Sequence, residues 1–489
     1  MDSKVMLDGS APITPAVSLH HDSRHENVEM TVFNRSHIEM NSVDSPKSAE
    51  DSSSSDAAAH RREMIAMAAV CWTQFMAGWN DGTLGPLIPI IQEHFHIGFM
   101  VVSMLFVSAC CGYVLGATAV IYFTDRYGFG RVLIGGSLFQ IVAYSILSTT
   151  PPFPAMCVAL TINGIGMSFQ NAQTSSLVIS LKNNPGTKMG AMHAAYGAGA
   201  CVAPLISTQF SQIPRWSFYF LVSLGLAVSN TISQSLVFGF RTLPELLASF
   251  GIPEVVHTAD STKTSKYRQI LNLKVVYILA LFALLYVGTE VTIGGWIVTF
   301  LIENRGGGAS SGYVSSGFFA GLMLGRLVLL WVNQKLGERR AVYLYSFLII
   351  GLEFVVWFTP SLILNAVAIS MVGLLLGRYF SDGSAIFANI FCRSILSNSH
   401  EPVGWFHTCM ASAFRWNDTL TPDKIHRLLT GAISWIASSG MSGSAVFPFI
   451  TGVIAQKHGV QVLQPLIVGL LGTMVVIWAL IPQVGKKKE

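Results

Sequence analysis

"DGTLGPLIP", Asp81–Pro89, and "EVTIGGWIV", Glu290–Val298, decide how this chain is built. Each places a carboxylate inside a long apolar run, followed by threonine and glycine at the same spacing. Laid over each other at an offset of 209 residues, Asp81 falls on Glu290, Thr83 on Thr292, Leu84 on Ile293 and Gly85 on Gly294. The register continues without a gap: Gly112, Leu115 and Gly116 meet Gly321, Leu324 and Gly325, and Gly128 and Arg131 meet Gly337 and Arg340. Gly164 likewise meets Gly373. Coincidence of glycines and of a membrane acid in one register marks an internal duplication.

The surrounding composition says what was duplicated. The 489 residues are 51% hydrophobic and 11% charged, far below the charged fraction usual in soluble domains. Apolar runs of about 20 residues, enough to cross a bilayer as a helix, recur near 64–91, 99–123, 132–149, 154–181, 189–210, 217–240, 274–302, 312–333, 341–358, 361–377, 430–455 and 460–482. The expected fold is therefore an all-α membrane protein of twelve transmembrane helices in two pseudo-symmetric six-helix halves. Residues 1–60, polar and Ser-rich with "DSSSSD" at 51–56, read as a disordered cytosolic tail and not as a signal peptide. The halves are expected at 61–240 and 274–482, joined by a cytosolic linker at 241–273, with a basic tail at 483–489.

Lysine and arginine collect on one side. Arg126, Arg131, Lys182, Lys188, Arg241, Lys263, Lys335, Arg340 and "KKK" at 486–488 lie there, against Arg215, Arg305 and Lys457 on the other. The positive-inside rule then puts both termini in the cytosol. The net charge of +4 reflects this bias and contact with anionic lipid, and no nucleic-acid partner is expected. Cys71, Cys110, Cys111, Cys157 and Cys201 fall inside spans, where a small apolar role suffices.

The register breaks once. Gly199 and Pro204 match Gly443 and Pro448 at an offset of 244, so about 35 residues have been added between 378 and 430. That interval places Arg378 and Asp382 where the tenth span should still be crossing. Two explanations compete: an inserted loop after a helix with a buried Arg and Asp, or a gene-model error such as a retained intron. The break falls within a predicted helix and not at its end, which favours the second.

The candidate chemistry lies in the spans. Asp81 and Glu290 sit too deep for a helix-end residue that reaches to the interface. A carboxyl removed from water favours its neutral form, so either acid is a candidate proton carrier; structural pairing with Arg326 is the competing use. Pro86, Pro89, Gly288, Gly294 and Gly295 would loosen or bend the helices nearby, or simply pack them closely. Asn80, Gln170, Asn171 and Gln173 could hydrogen-bond a hydroxyl-rich solute or a neighbouring helix. Trp79 and Trp296, with Trp72 at similar depth, could stack on a sugar ring or pack as core. His193 and Tyr196 are weaker candidates for the same site. Asp125, Arg126 and Arg131 in "TDRYGFGR" form a candidate cytosolic latch, whose repeat partner has Gln334 in place of the acid. Arg326 and Glu353 are further intramembrane charges.

Enzyme signals are missing. The two histidines of "EHFHI", two residues apart, do not share a helix face, so neither zinc nor another cofactor is expected, and no Gly-Lys phosphate loop points to ATP.

"DRYGFGR" resembles the signature loop of the major facilitator superfamily, with Ile121 where that signature usually has glycine. "GWNDGTLGPLIP" and "YVGTEVTIGGWIVTFL" resemble the fungal branch of its fucose permease-like group, over most of 64–377 and 430–482. The resemblance implies alternating access and proton-coupled uptake of a small polar solute such as a sugar, with an acid in the first span that Asp81 matches. Relatives of that group also use an acid in the fourth span, where this chain has amides such as Gln170. The alternative is proton-antiport efflux: Gly199, Ala203 and Pro204 follow the antiporter spacing, but Ser207 and Thr208 replace its glycine pair. A non-transporting sensor is a third, less favoured reading. The expected partners are a small-molecule solute, protons and the lipid bilayer; the expected form is a monomer in the plasma or vacuolar membrane.

The gene-model explanation for 378–430 has a direct check. RNA reads that join the codon of Gly377 to codons near Leu428 are expected; reads running continuously through the interval, with none that skip it, would show a genuine insertion.

Overall fold

The computed structural model describes residues 46–181, 184–252, 274–377 and 422–480. The chain divides into two units, Met1–Ser53 and Ser54–Glu489, and the helical bundle belongs to the second. Arg378, Asp382 and the linker beyond residue 252 lie outside the described residues, as do the first 45 residues and the basic tail.

Among the described residues the chain is a succession of helices. The principal ones are α1 (Pro46–Phe95), α2 (Met104–Tyr127), α3 (Phe129–Ser148), α4 (Phe153–Ser180), α5 (Pro185–Phe210) and α6 (Tyr219–Val237) in the first half. In the second they are α7 (Lys274–Arg305), α8 (Gly312–Leu336), α9 (Glu338–Phe358), α10 (Leu362–Leu376), α11 (Pro422–His458) and α12 (Leu463–Leu480). Nine stretches among the described residues, corresponding to α2–α9 and α12, are long and apolar enough to cross a membrane; α10 is a shorter apolar helix. The molecule is an all-helical, multi-pass membrane protein.

Two boundaries differ from expectation. The polar stretch assigned to the N-terminal tail through residue 60 is already helical from Pro46. No proline interrupts α1 between that first residue and Pro86, and proline is tolerated at the start of a helix. The linker also begins as structure: Leu243–Ser249 is a helical segment closed by a capping box between Thr242 and Glu245, whose carboxylate accepts from the Thr242 backbone N–H at 2.9 Å. Leu246 and Phe250 are buried there with Met67, Phe129 and Phe238, so this part of the linker belongs to the first half.

The duplication is visible in how close the helices come. A Cβ placed on Gly112 would stand 2.0 Å from the carbonyl oxygen of Thr161, and one on Gly321 2.2 Å from that of Ser370. Gly164 meets the Ala109 carbonyl at 2.3 Å, and Gly373 the Phe318 carbonyl at 2.1 Å. All four pairs keep the 209-residue register, and they lock α2 to α4 and α8 to α10 with no room for a side chain. Gly199 faces the Phe75 carbonyl at 1.9 Å and Gly443 the Leu284 carbonyl at 2.0 Å, which carries the second register, 244, into α5 and α11. The 3₁₀ turns Trp216–Phe218 and Val460–Val462, leading into α6 and α12, keep it as well.

The α2–α3 and α8–α9 joints are single glycines, Gly128 at φ 83° and Gly337 at φ 82°. Only glycine takes such a backbone without strain, and that lets the next helix start at once. Gly130 N–H donates to the Arg241 carbonyl at 3.0 Å, which ties this joint to the end of the first half.

The halves meet along α5 with α8 and α2 with α11. Many described contacts between them fall at the end of the bundle away from the linker. Gln209 donates to the Tyr313 hydroxyl, the Gln456 side chain accepts from the Met100 N–H at 3.2 Å, and Gly452 packs on Ser103. A Cβ placed on Gly85 would stand 2.4 Å from the carbonyl oxygen of Gly294, its own repeat partner. A residue that touches its duplicate stands beside the pseudo-twofold axis.

Overpacking a tight contact typically costs about 1–3 kcal/mol. Gly199→Val and Gly443→Val are therefore expected to lower the unfolding temperature of purified protein, whereas Gly225→Ala, with nothing within 4 Å, is expected to leave it nearly unchanged. Equal stability of all three would refute the close-packing assignment.

Candidate functional site

Asp81 and Glu290 line one cavity between the halves, with Tyr196 from α5 and an apolar wall of Leu84, Phe106 and Phe319. Repeat-matched placement on α1 and α7, near the axis marked by Gly85 and Gly294, brings the two acids to a shared space. Tyr196 donates its hydroxyl to Asp81 Oδ2 at 2.6 Å, and the neighbouring Asn80 amide approaches Oδ1 at 3.2 Å. Asn80 is held in turn: its Oδ1 accepts from Asn163 and from the Tyr144 hydroxyl, the latter at 3.3 Å. Gly78, whose Cβ would collide with the Tyr196 carbonyl at 1.8 Å, lets α5 come near enough for the Tyr196 bond.

Glu290 is buried, at 7% exposure. Tyr286, one helical turn earlier on α7, and Arg326 from α8 act electrostatically on its carboxyl. The Arg326 guanidinium also stands 5.8 Å from the Tyr196 ring centroid, and Nη1 donates to the His193 carbonyl at 3.4 Å. Asp81, Tyr196, Arg326, Tyr286 and Glu290 thus gather in one polar region across the interface. Two carboxylates and one guanidinium lie in this region, the guanidinium on the Glu290 side, so the charges balance when one of the acids carries a proton.

The other candidates separate clearly. His193 contributes its backbone carbonyl to Arg326. Gln170 does not line the Asp81–Glu290 cavity: its amide donates to Gln140 Oε1 at 2.9 Å and its carbonyl accepts from Asn230 at 3.3 Å, inside the α3–α4–α6 packing. Gln173 donates to Thr124 of α2. Asn171 accepts from Gln74 at 3.0 Å and approaches the Tyr113 hydroxyl at 3.5 Å. Trp79 is buried, stacked on Tyr219 at 5.6 Å and bonded through Nε1 to Ser223 at 2.9 Å. Trp72 bonds Ser229 at 3.2 Å. Trp296, fully buried, donates to the Pro448 carbonyl at 3.1 Å and packs near Phe99 and Phe106. These amides and indoles connect helices, because a membrane interior offers no water to satisfy them.

Asp125, Arg126 and Arg131 are exposed at the α2–α3 joint. The described ion pair on that side joins Lys188 at the start of α5 to Glu63 of α1 instead. Sequence reasoning did not single out Tyr286, Asn163 or Tyr144. Tyr286 alone carried a signal, the four-residue spacing to Glu290 that puts both on one helix face.

Comparison with known proteins names the scaffold. The family model of the Major Facilitator Superfamily matches residues 70–414. The chain belongs to the major facilitator superfamily. A Saccharomyces cerevisiae relative, "Bypass of stop codon protein 6", is 27% identical over 437 residues, covering 86% of this chain and 83% of that one. "Uncharacterized MFS-type transporter YceJ" of Bacillus subtilis is 24% identical over 332 residues, 65% and 79% of the two chains. Among solved structures, a D-xylose-proton symporter superposes with TM-score 0.63 at 10% identity, covering 86% of this chain and 98% of that one. The nucleoside transporter NupG gives TM-score 0.59 at 11% identity, with 86% and 98% covered. At that identity they establish the major facilitator fold and nothing finer. Membership places this chain in a transporter family, not an enzyme family.

A hydrogen bond to a charged group contributes about 1.5–3 kcal/mol. Tyr196→Phe, which deletes only the hydroxyl at Asp81, is expected to destabilise the purified protein by an amount of that order in equilibrium unfolding. Unchanged stability would show that the carboxylate does not depend on this bond.

Proposed function

We propose that the chain is a proton-coupled secondary carrier for a small polar solute, of the sugar or nucleoside kind, working by alternating access with both termini in the cytosol of a plasma or vacuolar membrane. The observation that carries it is a cavity between the halves with an acid from each, Asp81 and Glu290, and Arg326 in the field of Glu290. Arg326 offsets one negative charge of the pair, so one proton on the acids permits closure over a neutral cluster; loss of that proton leaves an unbalanced buried charge that favours the hydrated, open form. Asn80, Tyr196 and Glu290 offer donors and acceptors to solute hydroxyls, and Leu84, Phe106 and Phe319 an apolar face. His193 lies beside this group, while Gln170, Asn171, Gln173, Trp79 and Trp296 support it from behind. Asp125, Arg126 and Arg131 would latch the cytosolic ends in the state that brings them to a partner helix.

The D-xylose-proton symporter and nucleoside transporter named above support a hydroxyl-rich solute. The resemblance of the Asp81 and Glu290 segments to fucose permease-like proteins points the same way. Efflux by antiport is the second reading, and it uses the same acids with solute moving against the proton.

Proteoliposomes loaded at one pH and diluted into another, tested with a panel of pentoses, hexoses and nucleosides, check the proposal. The unmodified chain is expected to accumulate at least one of them under an inward proton gradient. Asp81→Asn and Glu290→Gln are expected to reduce gradient-driven accumulation by about tenfold or more, with counterflow exchange surviving in whichever variant only removes the proton carrier. Full gradient-driven transport in both variants would refute proton coupling through this pair.

A further inference from the structure

The second half contains another buried carboxylate, and nothing in the transport site uses it. Glu353 of α9 is fully buried, and neither carboxylate oxygen has a hydrogen-bond partner among the described residues. Among the described residues no lysine, arginine or histidine forms an ion pair with it. Three neutral side chains share its condition. Asn365 of α10 and Gln464 of α12 are fully buried with both amide atoms unpartnered, and Thr299 of α7 is buried with an unpartnered hydroxyl.

The four residues come from four helices that close into a ring. α9 packs on α10 and on α12, and α7 packs on both α10 and α12. All four lie at one end of that ring. At a rise of 1.5 Å per residue, Glu353 is about 7 Å inside the end of α9, Asn365 about 5 Å inside the start of α10, Gln464 about 2 Å inside the start of α12, and Thr299 about 9 Å inside the end of α7. Arg305, the last residue of α7, donates its guanidinium to the Val356 and Trp357 carbonyls near the end of α9 at 2.9 and 2.8 Å.

The internal repeat sharpens this into a site. The positions that match Glu353, Asn365, Gln464 and Thr299 in the first half are Tyr144, Met156, Phe220 and Ile90, all members of or packed against the apolar core. At these positions the first half carries three apolar side chains and a tyrosine whose hydroxyl is spent on Asn80; the second carries a carboxylate, two amides and a hydroxyl, all unpartnered. Scattered polar drift would not fall toward the same end of four neighbouring helices, and an unsatisfied buried polar group is costly. We propose that this end of the ring is a binding site for a monovalent cation of sodium size. Its oxygens are the two of the Glu353 carboxylate, the amide carbonyls of Asn365 and Gln464, and the Thr299 hydroxyl. Hard oxygen donors of this kind suit hard cations, and one carboxylate balances one positive charge. The amide NH₂ groups can then turn to the carboxylate.

The test needs no transported solute, so it stands or falls apart from the carrier proposal. Full-length protein purified in detergent with choline chloride is titrated with sodium chloride at constant ionic strength, and binding of radioactive sodium is measured in parallel. The expected result is a saturable rise in unfolding temperature specific to sodium over choline, with about one sodium bound per chain. Glu353→Gln, which keeps the volume and removes the charge, is expected to weaken binding by roughly tenfold or more, and Gln464→Leu by a smaller factor. The second variant serves if the first does not fold. Absence of stoichiometric sodium binding by the unmodified protein, which would leave a chamber holding water alone, overturns the proposal. So does sodium binding undiminished in a folded Glu353→Gln or Gln464→Leu.

Discussion

Backbone-to-backbone contact at glycine is the constraint on which the rest of this structure depends. Within a bilayer no hydrophobic effect drives one apolar helix against another, so association rests on close packing and on polar bonds between helices. In each half the glycines of α2 and α4, or α8 and α10, remove the side chains that would hold the axes apart. Gly199 and Gly443 do the same for α5 on α1 and α11 on α7. Only at that separation can Tyr196 reach Asp81, or Trp296 reach the Pro448 carbonyl. The polar network is thus a product of the packing.

The architecture was legible in the sequence because span length and repeat register are one-dimensional signals. Apolar runs located the helices to within a few residues, apart from α1, whose polar extension carries no hydropathy signal, and α11, which begins at Pro422 inside the interval suspected of being foreign. The register also foresaw the meeting of Asp81 and Glu290, since matched positions on α1 and α7 face one axis.

The lining of the site was less legible, because a polar residue within a span does not state which way it points. Gln170 and Asn171 are adjacent in sequence and serve different neighbours, α3 and α6 for the one and α1 and α2 for the other. Trp79 lies two residues from Asp81 yet faces α6. A helix turns about 100° per residue, so proximity along the chain to a functional acid is weak ground for a shared role. Arg326 was recognised as an intramembrane charge, but its partners come from two other helices and only the assembled bundle discloses them.

The meeting of Gly85 with Gly294 has a mechanical consequence. A seal formed by large interlocked side chains must lose much buried apolar area before it parts, and it resists opening in proportion. Two glycines offer little area to lose and no rotamers to reset. What the described residues offer to hold the halves together at that end lies therefore mostly in the peripheral ties, such as Gln209 with Tyr313 and Gln456 with the Met100 N–H, while the glycine contact at the centre adds little resistance to their parting.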